Sequence, residues 1–344
     1  MAYTTIDKSS LHFNTKTYTG TGSSNALTGI GFQPDLIWTA TLNEAEIRPI
    51  NDSVNGINNY LRSNDVDTLE TGGTNITAQS SDGYTVGTND RFNQSSNSFI
   101  SWNWKANGAG SANTDGSTNT TATSANTTAG ISIIKYPGTG SSATIGHGLG
   151  ATPSVLWFKQ LDGTESWRVW SIYAPNYSSK ALALNNNNQE FSQTGWVGTV
   201  NNSTIQLGTD GSINLNAKNY VCYAFTEKTG FSKFGQYTGN GETSGVFIYT
   251  GFKPAWVMTK KTSDSDSWVI LDNKRDAGPN PHKLAAFADN TDVQAGDYLT
   301  DFCSNGFKIR SSTGSLNTSG GSYIYQAFAE APLVGSNNVP CTAK

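Results

Sequence analysis

The sequence predicts an all-β protein built from three tandem antiparallel lectin-like or jelly-roll β-sandwiches. A tyrosine–glycine phrase recurs three times, and each copy is followed 16 or 17 residues later by a proline. Each proline precedes a short apolar run, and an aromatic ladder ends 70, 72 and 74 residues after the three prolines. Turns rich in glycine and asparagine separate the short apolar runs, which is typical of antiparallel sandwiches.

The three copies share their landmarks in the same order. The prolines are Pro34, Pro153 and Pro254. The apolar runs that follow them contain Trp38, Trp157 and Trp256. The closing ladders are Phe99, Trp102 and Trp104; Tyr220, Tyr223 and Phe225; and Tyr323, Tyr325 and Phe328. Short apolar runs without polar alternation indicate buried strands, so we expect the three tryptophans to be buried.

This spacing divides the chain into sandwiches at 1–107, 130–229 and 230–334, with a linker at 108–129 and a tail at 335–344. A unit of about 100 residues can bury its own core, so the sequence predicts three independent beads. The linker consists almost entirely of Gly, Ser, Thr, Asn and Ala and cannot bury much apolar surface. We therefore expect the linker and the tail to be ordered only by another chain, which implies self-association or a larger assembly.

Composition excludes several classes of protein. The charged fraction is 14%, against the roughly 25% of typical proteins, and the net charge of -4 argues against nucleic-acid binding. The three cysteines favour neither a disulfide framework nor a metal site. No apolar run reaches membrane-spanning length, and the first residues do not resemble a secretion signal. A surface of low charge that resembles extracellular proteins, without a recognisable leader, is typical of a virion protein made in a host cytoplasm and released by lysis.

Asp272 and Arg275 are the candidate ligand-binding residues. The alternative interpretation of Asp272 is a carboxylate at a strand end that caps a turn and pairs with Arg275, and the second copy, with Ser171 at this place, favours it. Hydrolysis of a glycosidic bond needs two facing carboxylates, and Asp272 with Glu330 is the pair to check. The sequence predicts no catalytic residues and no cofactor.

Oxygen-rich pairs of aspartates also invite a comparison with calcium loops. They are Asp264 with Asp266 and Asp289 with Asp292. Neither pair has the glycine and the terminal glutamate of an EF-hand loop, so solvated turns are the favoured interpretation and no metal site is predicted.

Two phrases carry a resemblance to a known group of proteins. They are Gly-Phe-Lys-Pro-Ala-Trp-Val-Met-Thr-Lys-Lys, beginning at Gly251, and Tyr-Ile-Tyr-Gln-Ala-Phe-Ala-Glu-Ala-Pro, beginning at Tyr323. They resemble a domain of unknown function in virion proteins of marine tailed phages, including cyanophages, often encoded near tail-fibre genes. The second copy keeps Lys159 where the third has Lys260, whereas the first has Ala40. The resemblance implies a lectin-like sandwich in a phage structural protein and supplies no catalytic residues.

Three functions remain open at this stage. The first is a non-enzymatic virion component, either tail-fibre-like and tail-associated or a capsid decoration protein. The second is an adhesin that binds a host surface glycan, and the third is a glycan-degrading enzyme. The expected partners are copies of the same chain and other virion proteins, with no nucleic acid and no membrane insertion.

Overall fold

The computed structural model describes residues 3–276 and 278–335, which contain 26 strands, three one-turn α-helices and a 3-10 helix at Ser9–Leu11. All strand pairs within the sheets are antiparallel, so the expectation of an all-β antiparallel fold is confirmed. Residues 336–344, and with them most of the expected tail, lie outside the described residues.

The first unit, residues 13–104, contains eight strands and one helical turn. Its sheets have the orders β1-β8-β3-β4-β5 and β2-β7-β6. The elements are β1 (Phe13–Thr19), β2 (Asn25–Leu27), β3 (Leu36–Thr41), β4 (Pro49–Asp52), β5 (Tyr60–Arg62), β6 (Ile76–Ser80), β7 (Gly83–Val86), α1 (Asp90–Asn93) and β8 (Ser98–Trp104).

The second unit, residues 122–225, contains ten strands and one helical turn. Its sheets have the orders β13-β12-β18-β10-β9, β11-β17-β16 and β14-β15. The elements are β9 (Ala122–Asn126), β10 (Ile131–Pro137), β11 (Ala143–Gly146), β12 (Val155–Gln160), β13 (Arg168–Ser171), β14 (Lys180–Ala181), β15 (Phe191–Ser192), β16 (Val197–Val200), β17 (Thr204–Leu207), α2 (Gly211–Asn214) and β18 (Asn219–Phe225).

The third unit, residues 232–332, repeats the strand order of the first. Its sheets have the orders β19-β26-β21-β22-β23 and β20-β25-β24. The elements are β19 (Ser232–Thr238), β20 (Phe247–Tyr249), β21 (Phe252–Lys261), β22 (Val269–Asp272), β23 (Ala286–Phe287), β24 (Thr300–Cys303), β25 (Gly306–Ile309), α3 (Gly314–Asn317) and β26 (Ser322–Pro332).

The three large sheets share one apolar core, so the expectation of independent beads is wrong. A single cluster of buried side chains draws residues from all three units. Trp38 contacts Trp157 with ring centroids 5.6 Å apart, Trp104 contacts Trp256 at 5.7 Å, and Phe225 contacts Phe328 at 6.2 Å. Each large sheet therefore buries a second face against its neighbours. The chain length of a unit indicates that it can enclose a core, but it does not show whether its outer face is apolar.

The burial predicted for the three anchor tryptophans is confirmed, but their positions are not all equivalent. Trp38 pairs with Trp102, and Trp157 pairs with Tyr223 in the corresponding register. Trp256 instead pairs with Phe328, so in register it lies two residues closer to the start of its strand than Trp38 and Trp157 do in theirs. It thus occupies the position held by Leu36 and Val155 in the other units. It still faces the shared core, because side chains two residues apart on a strand point to the same face of the sheet.

A buried lysine forms hydrogen bonds across the junction between the second unit and the first. Lys159 Nζ donates hydrogen bonds to the carbonyl of Val66 in the first unit, at 3.0 Å, and to two carbonyls close to it in its own unit. Loss of hydration lowers the pKa of Lys159 to about 8. The ammonium group thus ties two loops together through main-chain oxygen atoms.

At the other two junctions a buried cation also donates to a main-chain carbonyl of the neighbouring unit, but in one of them the cation is an arginine. Lys260 Nζ donates to the carbonyl of Asn187 in the second unit at 3.2 Å, and burial lowers its pKa to about 8. The first unit has Ala40 in the matching register position, and there Arg48 donates to the carbonyl of Asp292 in the third unit. Burial lowers the pKa of Arg48 to about 10. The three units therefore form a closed ring with one buried cation at each junction.

Arg48 also takes over a second role. It directly precedes β4, as Trp167 precedes β13 and Trp268 precedes β22. Each of these three side chains donates an N–H group to a carbonyl of another unit, at 3.2, 2.8 and 2.8 Å; the acceptors are Phe287, Arg62 and Ala183 respectively. In the first unit one arginine thus replaces both a lysine and a tryptophan.

The linker at 108–129 is ordered by its own chain, so the expectation that another chain must hold it is wrong. Residues 122–126 form β9 on the edge of β10. Thr118 forms a parallel bridge with Ile145, and Gly108 N donates to Asp35 Oδ1 at 3.1 Å. The composition argument considered apolar burial alone, whereas the open edges of existing sheets can satisfy the main-chain groups of a polar segment.

We therefore predict that the linker resists proteolysis in the isolated chain. Limited digestion with a protease of broad specificity should not cut 108–129 before the exposed loops of the three units, because a protease needs a locally unfolded segment. Gly116→Ala should create an early cut site, because the added Cβ would lie 2.3 Å from the Thr144 carbonyl oxygen. Gly296→Ala, at an exposed glycine outside the linker with no positive φ and no atom within 4 Å of the added Cβ, separates this clash from the general cost of the substitution. Early cleavage of the unmodified linker would contradict the prediction.

Candidate functional site

The predicted site residues Asp272 and Arg275 form an ion pair that is closed to solvent. Arg275 Nε donates to Asp272 Oδ2 at 2.6 Å, and the two side chains are 1% and 0% exposed. Asp272 Oδ1 accepts the main-chain N–H groups of Lys274 and Arg275, both at 3.0 Å. Trp102 of the first unit lies over the pair and donates Nε1–H to Asp272 Oδ2 at 3.3 Å. This geometry favours the turn-capping interpretation of Asp272.

The same position at the end of the matching strand in the first unit has a similar role. Asp52 ends β4 as Asp272 ends β22, and Tyr223 of the second unit donates its hydroxyl hydrogen to Asp52 Oδ2 at 2.7 Å. Burial raises the pKa of Asp52, opposed by hydrogen bonds from Asn55, Tyr223 and Val54. Both aspartates thus belong to the contacts between units, and the second unit has Ser171 there.

Beside this pair, the third unit contains a cavity of about 420 Å³ with a mixed polar and apolar lining. Its walls come from β21, β24, β26 and the segment after β22; they include Lys253, Lys274, Asn280, His282, Phe302 and Glu330. Asn280 holds the outer wall in place, since its side-chain amide donates to the Phe302 carbonyl at 3.0 Å and accepts from the Phe302 N–H at 2.9 Å. The His282 ring packs on the Phe302 ring with centroids 4.8 Å apart.

A longer connection forms this cavity. The third unit has thirteen residues between β22 and β23, at 273–285, where the first unit has seven, at 53–59, and the second has eight, at 172–179. The length of this connection is the signal in the sequence that could have located the cavity. Sequence reasoning did identify Glu330 but missed Lys253, Asn280 and His282.

The corresponding places in the other two units are partly occupied by the chain itself. In the first unit, Ser53 Oγ donates to the Gly108 carbonyl at 2.6 Å, so the linker covers the region. In the second unit, Glu227 accepts hydrogen bonds from the Tyr173 hydroxyl, at 2.7 Å, and the Lys233 ammonium, at 2.8 Å. A smaller cavity of about 330 Å³ nevertheless lies beside Glu227 and Lys233, so the opening in the third unit is the larger of the two.

Glu330 is an ionised carboxylate inside the cavity. Its Oε2 atom lies 2.7 Å from Lys253 Nζ. Burial alone would raise the pKa of Glu330, but the hydrogen bond and the charge of Lys253 hold it below its ordinary value. Asp272, the expected second carboxylate of a glycosidase pair, is enclosed by Arg275 and Trp102 and does not line the cavity. The cavity can therefore bind polar groups through charges and amides, with one accessible carboxylate.

The aspartates considered for calcium have other partners. Asp289 is buried and accepts the Trp268 N–H at 3.0 Å, and burial raises its pKa to about 6, so the expectation of a solvated turn is wrong for this residue. Asp266 accepts hydrogen bonds from Ser315 and from the main chain of Ser267. Within residues 3–276 and 278–335, no cluster of three or more His, Cys, Asp or Glu side chains could hold a metal ion.

The ring of three units corresponds to one protein family. Residues 8–332 match the family described as a domain of unknown function (DUF7483), and the chain belongs to this family. The match covers all three units as one domain, in agreement with their shared core. No curated protein matches the chain. In the described part of the chain, no helix is long and apolar enough to span a membrane.

Proposed function

We propose that this protein is a non-enzymatic structural component of a tailed-phage virion, tail-fibre-like or tail-associated, that contacts a host surface glycan. In this proposal the three units are jelly-roll-like sandwiches at about 1–107, 130–229 and 230–334, fused into one rigid ring. The observation that carries it is the shared core with its three buried junction cations. A ring whose three units are held together at every junction is suited to transmit mechanical load and to present a binding surface.

The proposed location in a phage virion is supported by the sequence. The phrases that begin at Gly251 and Tyr323 resemble those of phage virion proteins, and only 14% of the residues are charged. Low charge and abundant Asn, Ser and Thr suit a particle surface outside the cell. The alternative position, as a decoration of the capsid, is compatible with the same fold.

The part of the proposal that concerns glycans rests on the cavity of the third unit. A volume of about 420 Å³ lies in the usual range for small-ligand sites, and its lining combines ammonium, carboxylate, amide and imidazole groups with one aromatic ring. Sugars present hydroxyl groups around an apolar ring face, which such a lining can match. Glu330 is the only carboxylate among the described residues that line the cavity, which favours binding over hydrolysis by a carboxylate pair.

Immunogold labelling of purified particles tests the position. We expect antibodies against this protein to label the tail. Uniform labelling of the head would replace the tail assignment with capsid decoration, and the absence of labelling on any particle would reject the virion role.

A charge reversal tests the glycan site. Lys274→Glu should weaken binding of the purified protein to host envelope polysaccharide at least about tenfold, because it places a second carboxylate beside Glu330 in the cavity. Lys105→Glu, at an exposed position of the first unit, is the matched control and should bind as the unmodified protein does. Equal binding by both variants would exclude the cavity, and release of reducing sugars from the polysaccharide would favour the enzyme hypothesis.

A further inference from the structure

The outer strand of the small sheet in the third unit differs from its two counterparts. In β20, Ile248 points into the unit, while Phe247 and Tyr249 are 47% and 56% exposed. Register places Ala26 and Thr28 at these two positions in the first unit, and Thr144 and Gly146 in the second. The third unit thus presents two large rings to solvent where the others have small side chains.

The main chain of β20 also has an open edge. Ile309 N donates to the Val246 carbonyl, and Ile248 lies opposite Phe307, so alternate residues from Val246 onward bond to β25. The N–H and C=O groups of Phe247 and Tyr249 therefore point away from the sheet. Among the described residues, no strand pairs with β20 on that side.

The second unit shows what this edge can accept. There the corresponding strand, β11, is covered by the linker, because Thr118 N donates to the Thr144 carbonyl at 3.0 Å. Ser117 N also donates to Thr144 Oγ1 at 2.8 Å. An extended segment can thus pair with this edge of the fold, and in the second unit the chain supplies it.

We propose that β20 pairs with β20 of a second copy of this chain, in an antiparallel arrangement about a two-fold axis. The two outward-facing residues make the edge self-complementary: Phe247 of one copy faces Tyr249 of the other, and both pairs exchange N–H···O=C bonds. The same register sets a phenylalanine ring beside a tyrosine ring twice, and cross-strand aromatic pairs are favourable.

A second copy explains the edge better than the other possible occupants. An exposed edge strand with aromatic side chains promotes aggregation unless it is covered, and the other two units avoid that risk with a linker or with small side chains. An isologous contact uses up both edges at once, so association ends at a dimer and does not continue into a fibre. Since only one strand of three residues pairs, the contact is small and the dimer reversible.

Sedimentation equilibrium of the full chain, from about 1 μM to about 1 mM, tests the proposal. We expect a reversible monomer–dimer equilibrium. The double variant Phe247→Ala, Tyr249→Thr, which copies the residues of the first unit, should raise the dissociation constant at least about tenfold. Leu215→Ala, at a side chain that is 46% exposed in the second unit, is the matched control and should leave the constant unchanged.

Two further measurements separate the edge from other surfaces. Tyr249→Pro removes an outward N–H and leaves the bonds to β25 in place, so it should weaken the dimer while the monomer keeps its melting temperature. Hydrogen exchange should slow at the amides of Phe247 and Tyr249 on dimerisation, and not at Ala26 or Thr28. A monomer at every concentration overturns the proposal, even if a glycan contacts the rings, and so does a dimer that these variants do not weaken.

Discussion

The segment 130–229, expressed alone, is expected to be unfolded or molten, although it contains nine of the ten strands of the second unit. Isolation exposes the face of its large sheet that the other units cover; the side chains are Val155, Trp157, Val169, Val221, Tyr223 and Phe225. Each loses roughly 1.5–3 kcal/mol of burial free energy. The combined loss is comparable to the roughly 5–15 kcal/mol that stabilises a typical domain.

Circular dichroism and calorimetry provide the measurement. The isolated segment should bind a hydrophobic dye and show no cooperative melting, whereas the full chain should unfold in one transition. Addition of the complementary fragments 1–129 and 230–335 should restore a transition, which distinguishes a missing core from a damaged segment. A monomeric, cooperatively melting 130–229 would show that the shared core is not required for folding.

The second large effect is expected at the junction between the first and third units. Arg48→Trp should lower the free energy of unfolding by about 2–5 kcal/mol, because the partly buried carbonyls of Glu46 and Asp292 lose their donor. Ala40→Lys alone should also be destabilising, because a second cation enters a filled and already charged site. The double variant copies the lysine and tryptophan of the other two units and should recover to within about 1 kcal/mol of the unmodified chain.

Urea unfolding of the four proteins measures this coupling directly. Lys233→Met removes a lysine whose side chain is 39% exposed and should change stability by less than about 1 kcal/mol, which provides the control for loss of charge. If the losses of unfolding free energy in the two single variants add up in the double variant, Arg48 does not replace the lysine–tryptophan pair.

The local architecture could be predicted from the sequence, but the ring could not. The spacing of prolines and aromatic ladders locates the central strands, and Trp38 and Trp157 pair within them as expected. Alternation along β18 does not reveal the second buried face, because both faces are apolar and a strand buried on both sides has no period. In β8 the second face is also buried, but it contains the polar residues Ser101 and Asn103 and therefore looks like a solvent face. Matching the tryptophans by residue type misplaces Trp256, whereas spacing places it correctly: Trp256 lies two residues after its proline, as Leu36 and Val155 do.

The side-chain hydrogen bonds that hold the turns together also could not be predicted from the sequence. A buried asparagine ends each helical turn; the three are Asn93, Asn214 and Asn317. In each unit its amide donates to two main-chain carbonyls, and its oxygen accepts a main-chain N–H from the turn after β1, β10 or β19. Asparagine is common in loops, so a recurrent one has no distinctive signature in a chain rich in this residue.

The candidate site was predictable only in part. Glu330 could be identified from its position after the closing ladder, and Asp272 from its position after an apolar run. That Asp272 is sealed follows from Trp102, which is 170 residues away in the chain. No local pattern reports a contact of that sequence separation.

The closed ring has a consequence for folding during synthesis. Two of its junctions join neighbours along the chain, but the third joins residues near the start to residues near the end. The last strand of the third unit leaves the ribosome about 230 residues after the last strand of the first. At roughly 5–20 residues per second, the apolar face of the first sheet waits about 10–45 s for its final partner. A nascent chain of this protein therefore exposes tryptophan-rich surface for longer than a chain of self-sufficient domains would.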